Sequence, residues 1–506
     1  LNKLIYGVLT IFAFSSCADQ MEYSEYNPYD AGYVKRTFYD VGGLVSNIYQ
    51  SLDSDFGNYS GAILGSATDE SQYSYTGNAI ETFYNGAWSP VNAQSSMWTS
   101  CYKAIANCNN YLEEFTGLTF SEYEQISDYE AEMYNYQYEV RFLRAYFYFN
   151  LVRQYGDVPF TDHVLSTTEV NTLTRKPAQE VFDWIIKECD EIKDLIIPDY
   201  NNLGALVPSG ESAETGRANK RTVLALKART ALYAASPLFN SHQEGSQGYK
   251  ELWYRAAKAN KELIETCEDA GMRLIDDYEN LWDAKSYSIA IDELIFGCRA
   301  IRATNSFEKY NFPVGLENCR GGNCPTQTLV DAYELKDGGE RPDKKADYDK
   351  NKPYYEGRDP RFEKTIAKNG DTKWPNWNET ALETYQGGAN AEPLSGGTPT
   401  GYYLKKYCQT SINTTTAKPT TDNHTWIIYR LGEFYLNYAE ALFKYLGTAY
   451  ATNNEFPIPA NEMVSKTRRR TKVNMPKFPA GLDNKLWWEK YQNERMVELA
   501  FEGHRF

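Results

Sequence analysis

The sequence predicts a mainly α fold: tetratricopeptide-like helix pairs joined to a loop-rich, mixed second part. Three observations predict it. Apolar residues recur at three- and four-residue steps over most of the chain, the period of a helix with one buried face. A stripe of small residues, Ala225, Ala228, Leu232 and Ala235, would let a second helix approach closely. From about residue 286 to 425 that periodicity gives way to stretches rich in Gly, Pro, Asn and Thr. Paired helices with small-residue faces suggest a stacked superhelix, although no 34-residue self-match is visible.

In chain order, helices are expected over residues 35–56, 95–115, 122–138 and 139–155. The last is apolar nearly all round (Phe142, Leu143, Tyr146, Phe147, Tyr148, Phe149, Leu151, Val152) and so must be buried. It also carries Arg141, Arg144 and Arg153, which would need carboxylate or carbonyl partners there and read as structural ion pairs. Asp157-Val-Pro159 is its exit, because a residue before proline is biased out of the α region. Pro177 opens the next helix, which runs to Pro198. Further helices cover 218–237 and 249–270, and residues 293–299 read as a strand. Loops follow at 316–325, 336–342, 387–401 and 413–423. Helices return at 426–446, with Leu431, Tyr435, Tyr438, Leu442 and Tyr445 on one face, and at 486–502. Arg430 and Glu433 are expected to pair one turn apart. Glu440 follows on the next turns. Glu494, Arg495, Glu498, Glu502 and Arg505 offer a charge network at helical spacing.

The N-terminus suggests export. Asn2 and Lys3 precede the apolar run Leu4–Phe14, then Ser15, Ser16 and Cys17. The run is short of the ~20 apolar residues a spanning helix needs and has the order of a secretory signal. Cys17 directly after two small residues fits a lipid-acylation site, so residues 1–16 read as signal peptide and 17–30 as an acidic tether. An acylated Cys17 would hold the protein on a membrane surface without spanning it. The first residue is Leu, so the true start is open.

The net charge of −16, from 68 acidic and 52 basic residues, argues against nucleic acid as a partner. Cys101 and Cys108 lie two turns apart, too far to bridge. Cys189, Cys267 and Cys298 read as buried thiols. Cys319 and Cys324 flank Arg-Gly-Gly-Asn in a loop, where both a disulfide and free thiols remain open. Four histidines and no zinc-spaced cysteines point to no metal. No cofactor motif, phosphate loop or nucleophile–base pair is present, and no motif supports a calcium ion in the Asp-rich loops.

Five short motifs occur in order: Tyr155-Gly-Asp-Val-Pro-Phe160; Gly357-Arg-Asp-Pro-Arg-Phe362; Gly401-Tyr-Tyr-Leu-Lys-Lys-Tyr407; Arg430-Leu-Gly-Glu-Phe-Tyr-Leu-Asn-Tyr-Ala-Glu-Ala441; and Asn493-Glu-Arg-Met-Val-Glu-Leu-Ala-Phe-Glu-Gly-His-Arg-Phe506. After a lipoprotein-like signal, they resemble the SusD/RagB family of Bacteroidetes outer-membrane nutrient-binding lipoproteins. The resemblance runs from Cys17 to the end. It implies a scaffold of four tetratricopeptide-like helix pairs with a loop-rich part packed on it. It divides the chain into an N-terminal helical region, 31–285, and a C-terminal region, 286–506. It also implies capture of glycans or other nutrients, and a SusC-like TonB-dependent transporter as partner. Asp19, Glu22 and Glu25 after Cys17 resemble the surface-export signal of such lipoproteins. The family normally continues beyond the equivalent of Phe506, so the chain is expected to be truncated.

A glycan site needs exposed rings, on which the C–H faces of sugars stack, beside polar side chains. Aromatic residues are 15% of the chain, with 42 Tyr and 10 Trp. Most lie at helical spacing, including Trp98 and Tyr102, and read as core. Three loops supply the candidates: Asp69, Tyr73, Tyr75, Tyr84 and Trp88; Phe307 and Tyr310; Trp374 and Trp377. In the resembling family the first of these regions commonly contributes ligand contacts, and Trp88 is the leading candidate. Two other functions compete: a helical scaffold binding only protein, and an anchored glycoside hydrolase, which would need two carboxylates flanking the cleaved bond.

Overall fold

The computed structural model describes residues 31–94, 97–118, 127–200, 216–299, 302–339, 355 and 357–506. Cys17, the signal and the tether lie outside them. The longer helices are α1 (Phe38–Tyr49), α2 (Met97–Glu114), α3 (Ser127–Tyr155), α4 (Ala178–Ile192), α5 (Lys220–Ala235), α6 (Gln247–Asp269), α7 (Leu431–Leu446), α8 (Ala460–Arg468) and α9 (Asn484–Glu498). From α2 to α8 each packs on the next in chain order, α1 packs on α2 and α3, and α9 packs on α7 and α8. The small stripe of α5 is buried as its spacing requires. Against it, Asn260 of α6 reaches the Ala228 carbonyl at 3.4 Å.

Strands are β1 (Ser71–Tyr73), β2 (Val158–Pro159), β3 (Arg175–Lys176), β4 (Leu294–Arg299), β5 (Asn323–Pro325), β6 (Ile366–Ala367), β7 (Tyr403–Leu404) and β8 (Thr425–Arg430). They form four antiparallel pairs: β1–β5, β2–β3, β4–β8 and β6–β7. The β6–β7 pair lies within the loop-rich region, β1–β5 and β4–β8 tie it to flanking segments, and β2–β3 lies between α3 and α4.

Three expectations are corrected, and one question left open, the state of Cys319 and Cys324, is resolved. The two helices expected over 122–155 are one helix, α3, because nothing between residues 127 and 155 breaks it. The helix expected from residue 426 begins only at Leu431. Trp426, Ile427, Ile428 and Tyr429 are aromatic and β-branched and pair as β8 with β4. Arg430 therefore caps the start of α7 and does not pair with Glu433. Cys319 and Cys324 are free thiols, turned to Thr414 and to the Gly321 carbonyl respectively.

The buried arginines find partners as expected, except one. Arg141 forks onto Glu188 (2.8 and 2.9 Å), which also meets Arg144 at 3.2 Å. Arg153 makes no ion pair among the described residues and faces a cleft instead. The C-terminal charge network is more extensive than its helical spacing suggests. Arg430, fully buried, meets Glu293 (3.0 Å), Glu498 (2.8 Å) and Glu502 (2.8 Å). Arg361, also fully buried, meets Asp359 (2.6 Å), Glu494 (2.7 Å) and Glu498 (2.7 Å). Arg470 adds Glu293 and Glu498, Arg468 adds Glu494, and Lys406 adds Glu502. Arg495 turns away to Asn437, Glu433 takes Arg229, and Glu440 accepts from Tyr491.

Burial alone would raise the Glu498 carboxyl, but Arg430, Arg470 and Arg361 outweigh it and hold the group well below the usual carboxylate range. A depressed pKa contributes stability that is full above the unfolded value and is lost as pH falls through the folded one. Glu498→Gln is therefore expected to cost about 3–5 kcal/mol at pH 7, because it leaves guanidinium groups buried and under-compensated. The gap to wild type should persist down to about pH 5 and close in stronger acid. Urea denaturation across pH checks both; a gap that widens in acid would contradict the assignment.

Candidate ligand-binding face

The face is assembled by one amide. Asn323, fully buried on β5, accepts from the Ile63 N–H (3.0 Å) and the Ser66 hydroxyl (2.8 Å). It donates to the Gly61 carbonyl (3.1 Å) and Asn311 Oδ1 (2.7 Å). All its hydrogen-bonding groups are used. Together with the β1–β5 ladder (Ser71↔Pro325, Tyr73↔Asn323), it brings the first and second candidate loops side by side.

Their rings then close on glycines. Gly61 has φ +97°, and a Cβ there would lie 2.5 Å from both Tyr310 Cδ1 and Tyr73 Oη. Gly396 has φ +81°, and its Cβ would lie 2.3 Å from Tyr75 Oη and from the Arg320 carbonyl. Only glycine tolerates both the backbone and the approach. Tyr75 is half-buried and donates to that Arg320 carbonyl at 3.0 Å. Tyr310 is half-buried, with the Arg320 guanidinium 5.3 Å from its ring centre.

A second group of rings continues from the same small core of Ala62, Tyr73 and Ile80. A 3₁₀ turn, Ala79–Phe83, starts on Asn78, whose side chain accepts from the Ile80 N–H at 2.9 Å. It sets Phe83 between Tyr59 (5.4 Å) and Trp88 (5.0 Å), both edge-to-face. Tyr84 is 56% exposed and Trp88 47%. Two side chains brace the Trp88 loop: Asn92 donates to the Ala87 carbonyl (2.8 Å), and Asn85 accepts from the Ala87 N–H (2.9 Å).

The remaining candidates are placed differently. Phe307 is 2% exposed against Phe56, Trp374 is 5% exposed against Phe312, and Tyr73 is 7% exposed. These three present no ring face to solvent: Phe307 and Trp374 belong to the main apolar core that the helices also build, and Tyr73 to the small cluster with Ala62 and Ile80. Trp377 is half-buried and donates to the Ile412 carbonyl at 2.8 Å. Asp69 is forked onto Arg505 (2.7 and 2.7 Å), which lowers its pKa and occupies both its oxygens. Tyr84 and Trp88 are thus the exposed rings, and Tyr75, Tyr310 and Trp377 are half-buried ones.

A cleft of about 690 Å³ adjoins the second ring group at Tyr59. Asp53, Asp55, Asn58, Asn150 and Arg153 contribute to its lining. Burial pushes the Asp55 carboxyl up to about 6, against backbone N–H groups of Leu64, Asn58 and Gly57 that favour the charged form. Burial likewise raises Asp53, against the nearby Arg153. This mix of donors and acceptors suits hydroxyl groups. Such residues went unmarked by a reading that searched for rings, although the polar run from Ser51 to Ser60 after a helix was the available signal.

Residues 293–506 match the model described as the SusD family, and residues 23–232 match the model described as "Starch-binding associating with outer membrane". The chain belongs to the SusD/RagB family. A SusD-like protein of Bacteroides ovatus is 23% identical, over 99% of this chain and 80% of its own. SusD-like protein P2 of Formosa agariphila is 26% identical over 191 residues, 38% of this chain but 31% of the relative. A SusD-like protein of Bacteroides fragilis superposes with TM-score 0.73 at 24% identity, covering 93% of this chain and 85% of that one. Surface glycan-binding protein A of Bacteroides fluxus does so with TM-score 0.60 at 19%, covering 93% and 88%. In this SusD-family chain, Trp88 and Tyr84 sit on a braced loop, and Tyr75 and Tyr310 sit against obligatory glycines.

Gly61→Ala is expected to displace Tyr310 and Tyr73 and to cost about 1–3 kcal/mol from backbone strain and overlap. Urea denaturation and near-UV circular dichroism read this. An unchanged midpoint would mean that the rings are not held as described.

Proposed function

We propose that this protein captures glycans, or other nutrients, at the cell surface and delivers them, without chemical change, to a SusC-like TonB-dependent transporter. It would be held on the outer membrane through an acylated Cys17 alone. The observation that carries the reading is the pair of exposed rings, Tyr84 and Trp88, on a braced loop of a SusD-family chain. Rings fixed before binding lose little conformational freedom when a sugar stacks on them. The family model's description as starch-binding and associating with the outer membrane supports both a carbohydrate ligand and the location.

Each stacked ring contributes on the order of 1 kcal/mol, so useful affinity comes from several rings or from avidity. Trp88→Ala is expected to weaken binding roughly five-fold, and Tyr84→Ala/Trp88→Ala by more than ten-fold, with unchanged thermal stability. Titration calorimetry against a glycan panel measures this. Binding that is indifferent to both substitutions would remove the rings from the site. Reducing ends released by the purified protein would instead favour a hydrolase. Co-purification with the transporter from outer membranes tests the partner.

A further inference from the structure

We propose that Arg320, with Lys309 beside it, makes this face prefer glycans bearing an anionic group, a uronate carboxylate or a sulfate ester, over neutral ones. The inference rests on the glycan-capture reading and adds the ligand's charge class.

Arg320 is exposed, yet its backbone is fixed on both sides. Its N–H donates to the Lys309 carbonyl at 2.9 Å, and its carbonyl accepts the Tyr75 hydroxyl at 3.0 Å. The following Gly321 donates to the Phe312 carbonyl at 2.9 Å and has φ +67°, where a Cβ would lie 2.6 Å from the Tyr403 ring. The guanidinium stands over Tyr310. One residue thereby binds the two half-buried rings of this part of the face into one unit.

Among the described residues, no carboxylate answers its charge. Arg361, Arg430, Arg468 and Arg470 are all engaged by carboxylates. Neither Arg320 nor Lys309 has an ion pair among the described residues. The acids closest in sequence are turned elsewhere. Glu308 is fully buried against His424 (2.9 Å) and the Gln409 N–H (2.9 Å). Glu317 accepts from the Thr416 N–H at 2.8 Å. In a chain with net charge −16, an anionic polymer is repelled by most of the surface, so a positive spot beside two rings determines where such a ligand can settle. A planar guanidinium matches the paired oxygens of a carboxylate or sulfate, while Tyr75 and Tyr310 supply apolar area for the sugar ring.

The test is calorimetry with tetragalacturonate, a sulfated carrageenan tetrasaccharide and maltotetraose, on wild type, Arg320→Gln and Arg320→Lys. At least one acidic tetrasaccharide is expected to bind ten-fold or more tighter than maltotetraose. Arg320→Gln should remove about ten-fold of that affinity, Arg320→Lys should keep part of it, and 0.5 M salt should weaken it. The two acidic arms separate carboxylate from sulfate. Maltotetraose binding as tightly as both acids, or acid binding unmoved by Arg320→Gln, overturns the charge preference and leaves glycan capture standing. No binding of any of the three by folded protein counts against both readings.

Discussion

Buried charge is the constraint on which this structure depends. Removing a guanidinium or carboxylate from water is costly, and the loss is offset only when every ion is surrounded by partners of good geometry. Around Glu498 the partners come from distant segments: Glu293 before β4, Asp359 and Arg361, Arg430 at the end of β8, and Arg470 after α8, whose Nε is left without a hydrogen-bond partner. The native position of each segment therefore depends on the others. The loop-rich region, poor in regular structure, is thus tied to the helices by electrostatics as well as by apolar contact. Lys406 and Glu502 extend the same centre, and Tyr278 lies against it.

The helical part was largely legible, because a buried face repeats every 3.6 residues and needs no knowledge of what covers it. Errors fell where long-range pairing overrode local pattern. Residues 426–430 continue the spacing of α7 on paper, but their partner strand lies more than a hundred residues earlier, and only that pairing makes them β8. The Arg430–Glu433 pairing failed for the same reason: the true partners are distant in sequence. On the candidate face, Tyr84 and Trp88 stand at the surface as loop aromatics should. Phe307, Trp374 and Tyr73 do not, since a ring in an irregular segment carries no periodicity to say which way it points. Arg320 escaped notice because its setting arises only when the loops meet.

The ring groups owe their positions to main-chain contacts as well as to each other. Tyr75 is held by a carbonyl, Tyr310 by the absence of a Cβ on Gly61, and the Trp88 loop by two asparagine side chains. Such holds are directional and short, so the rings are set before any ligand arrives. The same directness makes them sensitive to single-atom changes at the glycines.

Asn323 spends its whole amide inside the protein, and so does the centre around Glu498. The frame is consequently secured from within, and the outward loop at 84–92 and exposed side chains such as Arg320 bear little of it. Solved structures at 19–24% identity share the architecture. Substitutions at those exposed side chains can therefore reshape the surface while leaving the interior that secures the fold intact.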